Sequence, residues 1–217
     1  MVYLRGGETS NVNDRDPRRT VVALFAGAFV LFLIVTALMF RHEIEGIRSA
    51  KADRASQVRE IPDFRLTDQA GKEVRRRDLV GNVWIAGLVS TSEGETATVE
   101  AMEKIVERLA TVPGFRAVLV TTRPELDTAE HLAKYVAARP HPHVWVALTG
   151  EPARVADLAR IGLGAAVRFV EDVPRIEGGD AVGIVDRKGR LRATLDVNED
   201  RFVEGALTAI KHALAER

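Results

Sequence analysis

One short segment gathers side chains that could take part in chemistry. Residues 90–95 read Ser-Thr-Ser-Glu-Gly-Glu and follow an apolar run directly. Oxygen atoms of this kind bind hard cations, and paired carboxyl groups can act as acid and base. Glu93 and Glu95 stand one residue apart on a predicted turn, so they need not converge, and no base or nucleophile is evident nearby. We therefore predict no catalytic residue, and interpret the segment as helix capping and solvation, with a hard-cation site or a partner-binding loop as alternatives: Ser90, Thr91, Ser92, Glu93 and Glu95.

Two other polar groups have simpler interpretations. His141 and His143 flank Pro142 and could place two imidazoles on one side of an extended segment. Two ligands make a weak metal site, and the sequence offers no third, so we expect a solvated loop before a strand. The basic run of residues 75–77 is expected to be a solvated turn, with contact to anionic lipid headgroups as the alternative.

Composition excludes several classes of function. The chain has 217 residues and no cysteine, which excludes disulfides, thiolate zinc sites, iron–sulfur clusters, a cysteine nucleophile and thiol redox chemistry. Its 31 basic and 31 acidic side chains give zero net charge, so bulk attraction to nucleic acid is not expected. Aromatic residues are few, and we find no nucleic-acid-binding motif.

An apolar run near the N-terminus predicts a membrane anchor. Val21 to Phe40 carries no charged side chain, with Arg19 before it and Arg41 after it. As a helix rising about 1.5 Å per residue, the run spans the roughly 30 Å hydrocarbon core of a bilayer. We predict a tail over residues 1–19, a transmembrane helix over 20–40, a charged stalk over 41–60 and a folded domain over 61–217. A cleavable signal peptide is the alternative, and the flanking Lys and Arg residues do not decide the orientation.

The predicted domain alternates strands and helices. Strands joined through helices lie parallel, and a terminal hairpin adds antiparallel strands, which predicts an α/β mixed sheet with helices on both faces in the thioredoxin-like arrangement. The expected elements, in chain order, are a hairpin over Phe64–Val74, strand Val83–Ser90, helix Ala97–Leu109, strand Phe115–Val120, a helix from Asp127 or Thr128 to Ala138, strand Val144–Leu148, helix Glu151–Ile161, a hairpin over Ala181–Asp196, and a helix capped by Asn198 that ends near Glu216.

Several segments of the domain, in order and spacing, resemble the Sco/SenC family. They are Ile61–Lys72 (IPDFRLTDQAGK), Leu79–Trp84, Val118–Thr128, Trp145–Gly150 and the turn Asp186–Gly189. The resemblance covers nearly all of residues 61–217. It implies a thioredoxin-like domain on a single membrane anchor and a role in cytochrome oxidase assembly. It also implies copper bound by a Cys-x-x-x-Cys loop and a distant histidine.

The family's copper ligands are replaced in this sequence. The resemblance places its two cysteines at Thr91 and Glu95, and its histidine at Gly178 or a near neighbour. A hydroxyl and a carboxyl group are hard ligands, whereas copper(I) selects soft thiolates. We therefore expect neither family-type copper binding nor any other cofactor.

These observations predict a non-enzymatic, membrane-anchored Sco-like protein. The resemblance implies a single-pass protein of a bacterial-type inner membrane, with its domain on the periplasmic side. Its partner would be another membrane protein or a component of respiratory complex assembly, and not nucleic acid. One alternative is a thioredoxin or peroxiredoxin relative whose thiol chemistry has been lost, and another is a sensor of hard cations or small anions.

Overall fold

Residues 58–93, 96–171, 173–177 and 179–216 are described by a computed structural model. They belong to the unit that spans residues 52–217. Within these ranges we find no helix that is both long enough and apolar enough to cross a membrane. The predicted tail, transmembrane helix and most of the stalk lie outside the described residues.

The described chain forms a large mixed sheet, a separate two-stranded hairpin and several helices. Strands β1 to β10 span Arg59–Glu60, Arg65–Asp68, Glu73–Arg75, Val83–Val89, Phe115–Thr121, Trp145–Thr149, Ala166–Val170, Val173–Glu177, Ala181–Val185 and Arg190–Asp196. Helices α1 to α5 span Arg76–Leu79, Ala97–Leu109, Ala129–Ala137, Pro152–Asp157 and Phe202–Ala215. Short 3₁₀ turns cover Thr91–Glu93 and Pro142–Val144, and a π-helical segment covers Leu158–Leu163.

The central sheet has the predicted mixed topology. Its strand order is β1-β10-β9-β4-β5-β6-β2-β3. Strands β4, β5 and β6 are parallel neighbours, because α2 and α3 carry the chain back between them. Hairpin β9–β10 lies antiparallel beside β4, and hairpin β2–β3 lies antiparallel beyond β6. The carboxyl ends of β4 and β5 therefore lie side by side, where the candidate site begins.

Every residue of β4 is buried, which explains its continuous apolar sequence. Successive side chains of a strand point to opposite faces of the sheet. Val83 and Ile85 accordingly pack in the core with α2, α3 and α5. Trp84 and Ala86 pack in a second core on the other face, with α4 and the π-helical segment. This confirms the prediction of helices on both faces.

Helix α2 has the bounds that its apolar periodicity predicts. Thr96 caps it by accepting a hydrogen bond from the Val99 N–H at 3.4 Å. Met102 and Ile105 are fully buried against the sheet. Met102 lies over Gly87 of β4, where a Cβ atom would stand 2.5 Å from the Met102 Sδ. A side chain at this position would therefore force the Met102 side chain to move.

One predicted helix cap is wrong and another is confirmed. Asn198 does not cap α5, which begins at Phe202 after Arg201. The Asp196 carboxylate instead accepts the Asn198 N–H at 3.1 Å, which forms a local turn before the helix. Of the two caps considered for α3, Thr128 serves, since its hydroxyl accepts the His131 N–H at 3.3 Å.

Two further elements differ from the sequence prediction. The helix predicted over Glu151–Ile161 is α-helical only to Asp157 and continues as π-helix to Leu163. Hairpin β7–β8 was not predicted. Its side chains are mostly exposed on both faces, so its sequence lacks the alternation that marks a half-buried strand.

A buried carboxylate organises the turn between β9 and β10. Asp186 is 2% exposed and accepts hydrogen bonds from the backbone N–H groups of Lys188 and Arg190, both at 3.0 Å. The Arg190 guanidinium adds a bond of 2.9 Å from its Nε. Burial disfavours the charged form, but these hydrogen bonds, with those from Arg190 foremost, outweigh it and lower the pKa of Asp186 below its ordinary value.

Acid is expected to remove the stabilisation that Asp186 supplies. Because folding lowers its pKa, the contribution is present above the unfolded value of about 4 and is lost as the pH falls through the lower folded value. Asp186→Asn should therefore destabilise the protein at pH 7 and flatten the acid dependence of the unfolding free energy, measured by urea denaturation. Glu107→Gln changes an exposed carboxyl group on α2 and should leave both unchanged. Equal acid sensitivity in Asp186→Asn and the parent would contradict this assignment.

Candidate functional site

The predicted functional loop begins where β4 ends. Ser90 is 2% exposed and leads into the 3₁₀ turn that contains Thr91 and Ser92. The Thr122 N–H donates to the Val89 carbonyl at 2.8 Å, which holds the ends of β4 and β5 together. The residue immediately before the loop is therefore held in the sheet.

A buried carboxylate holds Thr91 in place. Asp127 is 0% exposed and lies at the end of the turn after β5. Its Oδ1 accepts the Thr91 N–H at 3.2 Å and also the Thr91 hydroxyl. Its Oδ2 accepts the hydroxyl of Thr121, the last residue of β5. Hydrogen bonds from these donors offset the free-energy cost of burying the carboxylate. They also keep the Thr91 hydroxyl engaged in a hydrogen bond that stabilises the loop.

The structure describes only some of the remaining residues predicted for the site. The Ser90 and Ser92 hydroxyls lie 2.8 Å apart and hydrogen bond to each other. Glu95 and Gly178 lie outside the described residues, and the side chain of Glu93 is not described. The proposed roles of these three residues stay predictions. The sequence offers Asp127 only as one of two possible helix caps, and its bond to Thr91 was missed because the two residues are 36 positions apart in the chain.

A cavity of about 390 Å³ opens beside this loop. It lies between the carboxyl ends of β4 and β5, the start of α2, and β8 with the segment after it. Its apolar wall consists of Leu88, Val89 and Ile176. The other described residues of the lining are polar or glycine: Ser90, Thr96, Thr122, Arg123, Arg175, Gly179 and Asp180.

Helix α2 and the segment after β8 are tied together at this cavity. The buried Thr98 hydroxyl donates to the Gly179 carbonyl. Ser90 and Gly179 line the cavity and are the sequence neighbours of Thr91 and Gly178. The regions to which the resemblance assigns the first cysteine and the histidine of the family's copper site thus border the same cavity.

The other polar groups do not form a site. The rings of His141 and His143 meet edge to face with their centroids 6.2 Å apart, and both residues are exposed. In the basic run, Arg75 pairs with Glu73 at 2.6 Å, and Arg76 pairs with Glu60. Within the described ranges no three His, Cys, Asp or Glu side chains are grouped to hold a metal ion.

Comparison with known proteins identifies the family. The SCO1/SenC family model matches residues 52–214. The chain belongs to the SCO1/SenC family. This match confirms the resemblance seen in the sequence, and it extends over nearly all of the predicted domain. No curated protein sequence matches.

Solved structures of Sco proteins share the fold of this family member. BsSco, described through its disulfide switch as a member of the Sco family of cytochrome c oxidase assembly proteins, is 22% identical, with a TM-score of 0.64 over 75% of this chain and 97% of BsSco. A SCO1/SenC family lipoprotein from Bacillus anthracis is 19% identical, with a TM-score of 0.63 over 71% of this chain and 95% of the lipoprotein. ScoI from Bradyrhizobium japonicum with copper bound is 20% identical, with a TM-score of 0.53 over 70% of this chain and 98% of ScoI.

The residues present do not fit the copper ion of such relatives. Soft sulfur ligands select copper(I), and this chain contains no cysteine. At the position where the resemblance places the first cysteine, the Thr91 hydroxyl donates its proton to Asp127. At this position Asp127 accepts a hydrogen bond from a hydroxyl group, and there is no thiolate that could bind copper.

Proposed function

We propose that this protein is a membrane-anchored assembly factor of the Sco family that acts through protein contacts. The observation that carries the proposal is the Thr91–Asp127 bond, which replaces a copper-thiolate position by a fixed hydroxyl group. A chain without cysteine can neither carry copper on thiolates nor exchange disulfides. The protein would therefore act through contacts that other proteins make with the surface of its folded domain.

Family membership supports a role in the assembly of cytochrome oxidase or a related respiratory complex. BsSco, which has the same fold, is described as belonging to a family of cytochrome c oxidase assembly proteins. The apolar run over residues 21–40 supports an anchor in a bacterial-type inner membrane, with the domain on the outer side. The partner would then be a membrane protein or another respiratory assembly component, and the protein would not be an enzyme.

The principal test is a deletion of the gene in the source organism. We expect the amount of assembled cytochrome oxidase to fall, measured as haem absorbance and as oxidase subunits in the membrane. Excess copper in the medium should not restore it, because the proposed role does not deliver copper. Restoration by copper, or unchanged oxidase, would overturn the proposal. Copurification with the full chain in mild detergent should then identify the bound subunit.

A titration of the full chain with copper(I) under anaerobic conditions tests the ligand argument separately. We expect no stoichiometric site of submicromolar affinity, because sulfur ligands of the family type are absent. Peroxidase and disulfide reductase assays should stay at background for the same reason. Submicromolar copper binding would contradict our account of the loop, and thiol-type activity would contradict the non-enzymatic role.

A further inference from the structure

We propose that the outer edge of strand β7 binds an extended segment of a partner protein, which adds a third strand to the β7–β8 hairpin. Among the described residues, β7 pairs with β8 alone, and the two strands form a sheet of their own. Strand β8 lies on the inner side, because its Ile176 lines the cavity and packs against the second core. This inference rests on the proposed action through protein contacts and names one surface that makes such a contact.

The proline of β8 determines which backbone groups of β7 point outward. Pro174 lies directly opposite Phe169 and has no N–H, so these two residues form a pair that exchanges no hydrogen bonds. The N–H and C=O groups of Phe169 therefore point away from β8. Because the two kinds of pair alternate along antiparallel strands, the same holds for Val167. Within the described chain neither residue makes a backbone hydrogen bond outside the strand pair, so the outer edge presents their N–H and C=O groups.

Strand β7 lacks the features that keep strand edges from pairing. Proteins protect exposed edges with proline, with charged side chains or by covering them. The sequence of β7 contains no proline and one charged residue, Arg168. Four of its five residues are exposed and Val167 is half-buried, which leaves the edge accessible in the described part of the chain. Addition of a strand to such an edge is a common way to bind an extended peptide.

One face of the hairpin favours apolar side chains in the added strand. Val167 and Phe169 point to the same face of the hairpin as the residues opposite them, Ile176 and Pro174. All four are apolar, and Phe169 is 65% exposed. A strand that hydrogen bonds to Val167 and Phe169 places its paired side chains beside theirs on this face. The partner segment is therefore expected to alternate apolar and polar residues.

The length and charge of β7 favour a partner segment over a second copy of the chain. Strand β7 has five residues, so pairing two β7 edges would bury far less than the roughly 1,200 Å² of total surface in stable protein–protein interfaces. In the symmetric pairing centred on the middle residue, Arg168 would also lie opposite its own copy, and like charges directly opposite are destabilising. In strand addition, by contrast, main-chain hydrogen bonds supply the affinity of a short segment.

The test uses the acetylated and amidated peptide Thr-Val-Thr-Val-Thr-Val-Thr as the probe, with N-methylated valines in the control peptide. Methylation removes the donors that would pair with β7 and keeps the side chains. The full chain in an uncharged detergent is titrated while NMR follows hydrogen exchange of the backbone amides. At saturation we expect the amides of Val167 and Phe169 to exchange about tenfold more slowly. The amides of Arg168 and Val170 face β8 and should change less than about twofold.

Several results would overturn the proposal. They are absence of saturable binding, unchanged exchange at Val167 and Phe169, and equal effects of the two peptides. Slow exchange of both amides without peptide, increasing with protein concentration, would show a second copy on the edge and would also overturn it. The gene deletion that tests the oxidase role does not use the probe, so a failure of that role and a failure of this edge are distinguishable.

Variants of β7 locate the contact. Val167→Pro removes an outward N–H at a pair of the kind that already accommodates Pro174, and should weaken probe binding about tenfold. If its hairpin does not form, Phe169→Ser at an exposed position decides, with binding weakened at least about threefold. Val170→Ser is the matched control, because Val170 is an exposed apolar residue on the opposite face, and it should change binding less than about twofold. Equal losses in Phe169→Ser and Val170→Ser would contradict the assigned face.

Discussion

Asp127→Ala is expected to lower the free energy of unfolding by about 3 kcal/mol. The buried carboxylate accepts the N–H and hydroxyl of Thr91 and the hydroxyl of Thr121, and its removal leaves these donors without their acceptor. In a protein of this size, the loss corresponds to a fall in Tm of about 6–12 °C. Urea denaturation and a thermal melt, both followed by circular dichroism, would measure it.

A neighbouring carboxyl group provides the control for Asp127. Glu125 lies on the same turn, is exposed and makes an ion pair of 3.5 Å with Arg175. Glu125→Ala should change stability by less than about 0.5 kcal/mol. Asp127→Ala and Thr91→Val should be non-additive when combined, since each removes the same bond. Fully additive losses, or a loss below about 1 kcal/mol for Asp127→Ala, would contradict the role of the carboxylate in holding the loop.

Gly87→Val is expected to cost about 3 kcal/mol or to prevent folding. A Cβ atom at this position would stand 2.5 Å from the Met102 Sδ and 2.9 Å from the Thr98 Cγ2, and valine adds two further methyl groups. Both neighbours lie on α2 and are buried, so their side chains have little room to move aside and the valine would overpack the core. The measurement is the urea midpoint of the purified variant, or its soluble yield if it does not fold.

Two further variants decide whether the helix contact is the cause. Met102→Ala removes the side chain nearest to the new Cβ, so Gly87→Val with Met102→Ala should lose at least about 1 kcal/mol less than the sum of the single variants. Gly205 lies inside α5, where the nearest atom to a new Cβ would be the Leu195 Cδ1 at 3.8 Å. Gly205→Ala should therefore stabilise the protein by about 0.5–1 kcal/mol. Destabilisation by Gly205→Ala, or strict additivity at Gly87, would contradict the packing argument.

The elements that the sequence predicted well are those whose neighbours leave a periodic pattern. Strand β4 is buried on both faces, and an unbroken apolar run predicted its bounds to within one residue. Helix α2 is buried on one face, and apolar residues at helical spacing predicted its bounds. Hairpin β7–β8 has no such pattern, because Phe169 is 65% exposed and Pro174 interrupts the sequence of β8. Local propensity could not identify an element that packs so little of its surface.

The candidate site shows the same limit at the level of single side chains. The sequence placed Thr91 on the loop after β4, but it could not reveal that Asp127 binds it, because either Asp127 or Thr128 satisfies the rule for a helix cap. The cavity lining was not predicted either, because residues such as Thr96 and Ile176 are 80 positions apart in the chain and only the fold brings them to one cavity. Long-range contacts of this kind leave no trace in local spacing.

The fixed Thr91 loop has a consequence for the conditions under which a partner can dock. Hydroxyl and carboxyl groups do not change state between an oxidising and a reducing compartment, whereas a pair of thiols would open or close. Oxidants can attack methionine, but the Met102 side chain of α2 is fully buried. A protein that contacts Thr91 and its neighbours therefore meets the same atoms at any ambient potential, so its affinity should not depend on added glutathione or oxidant.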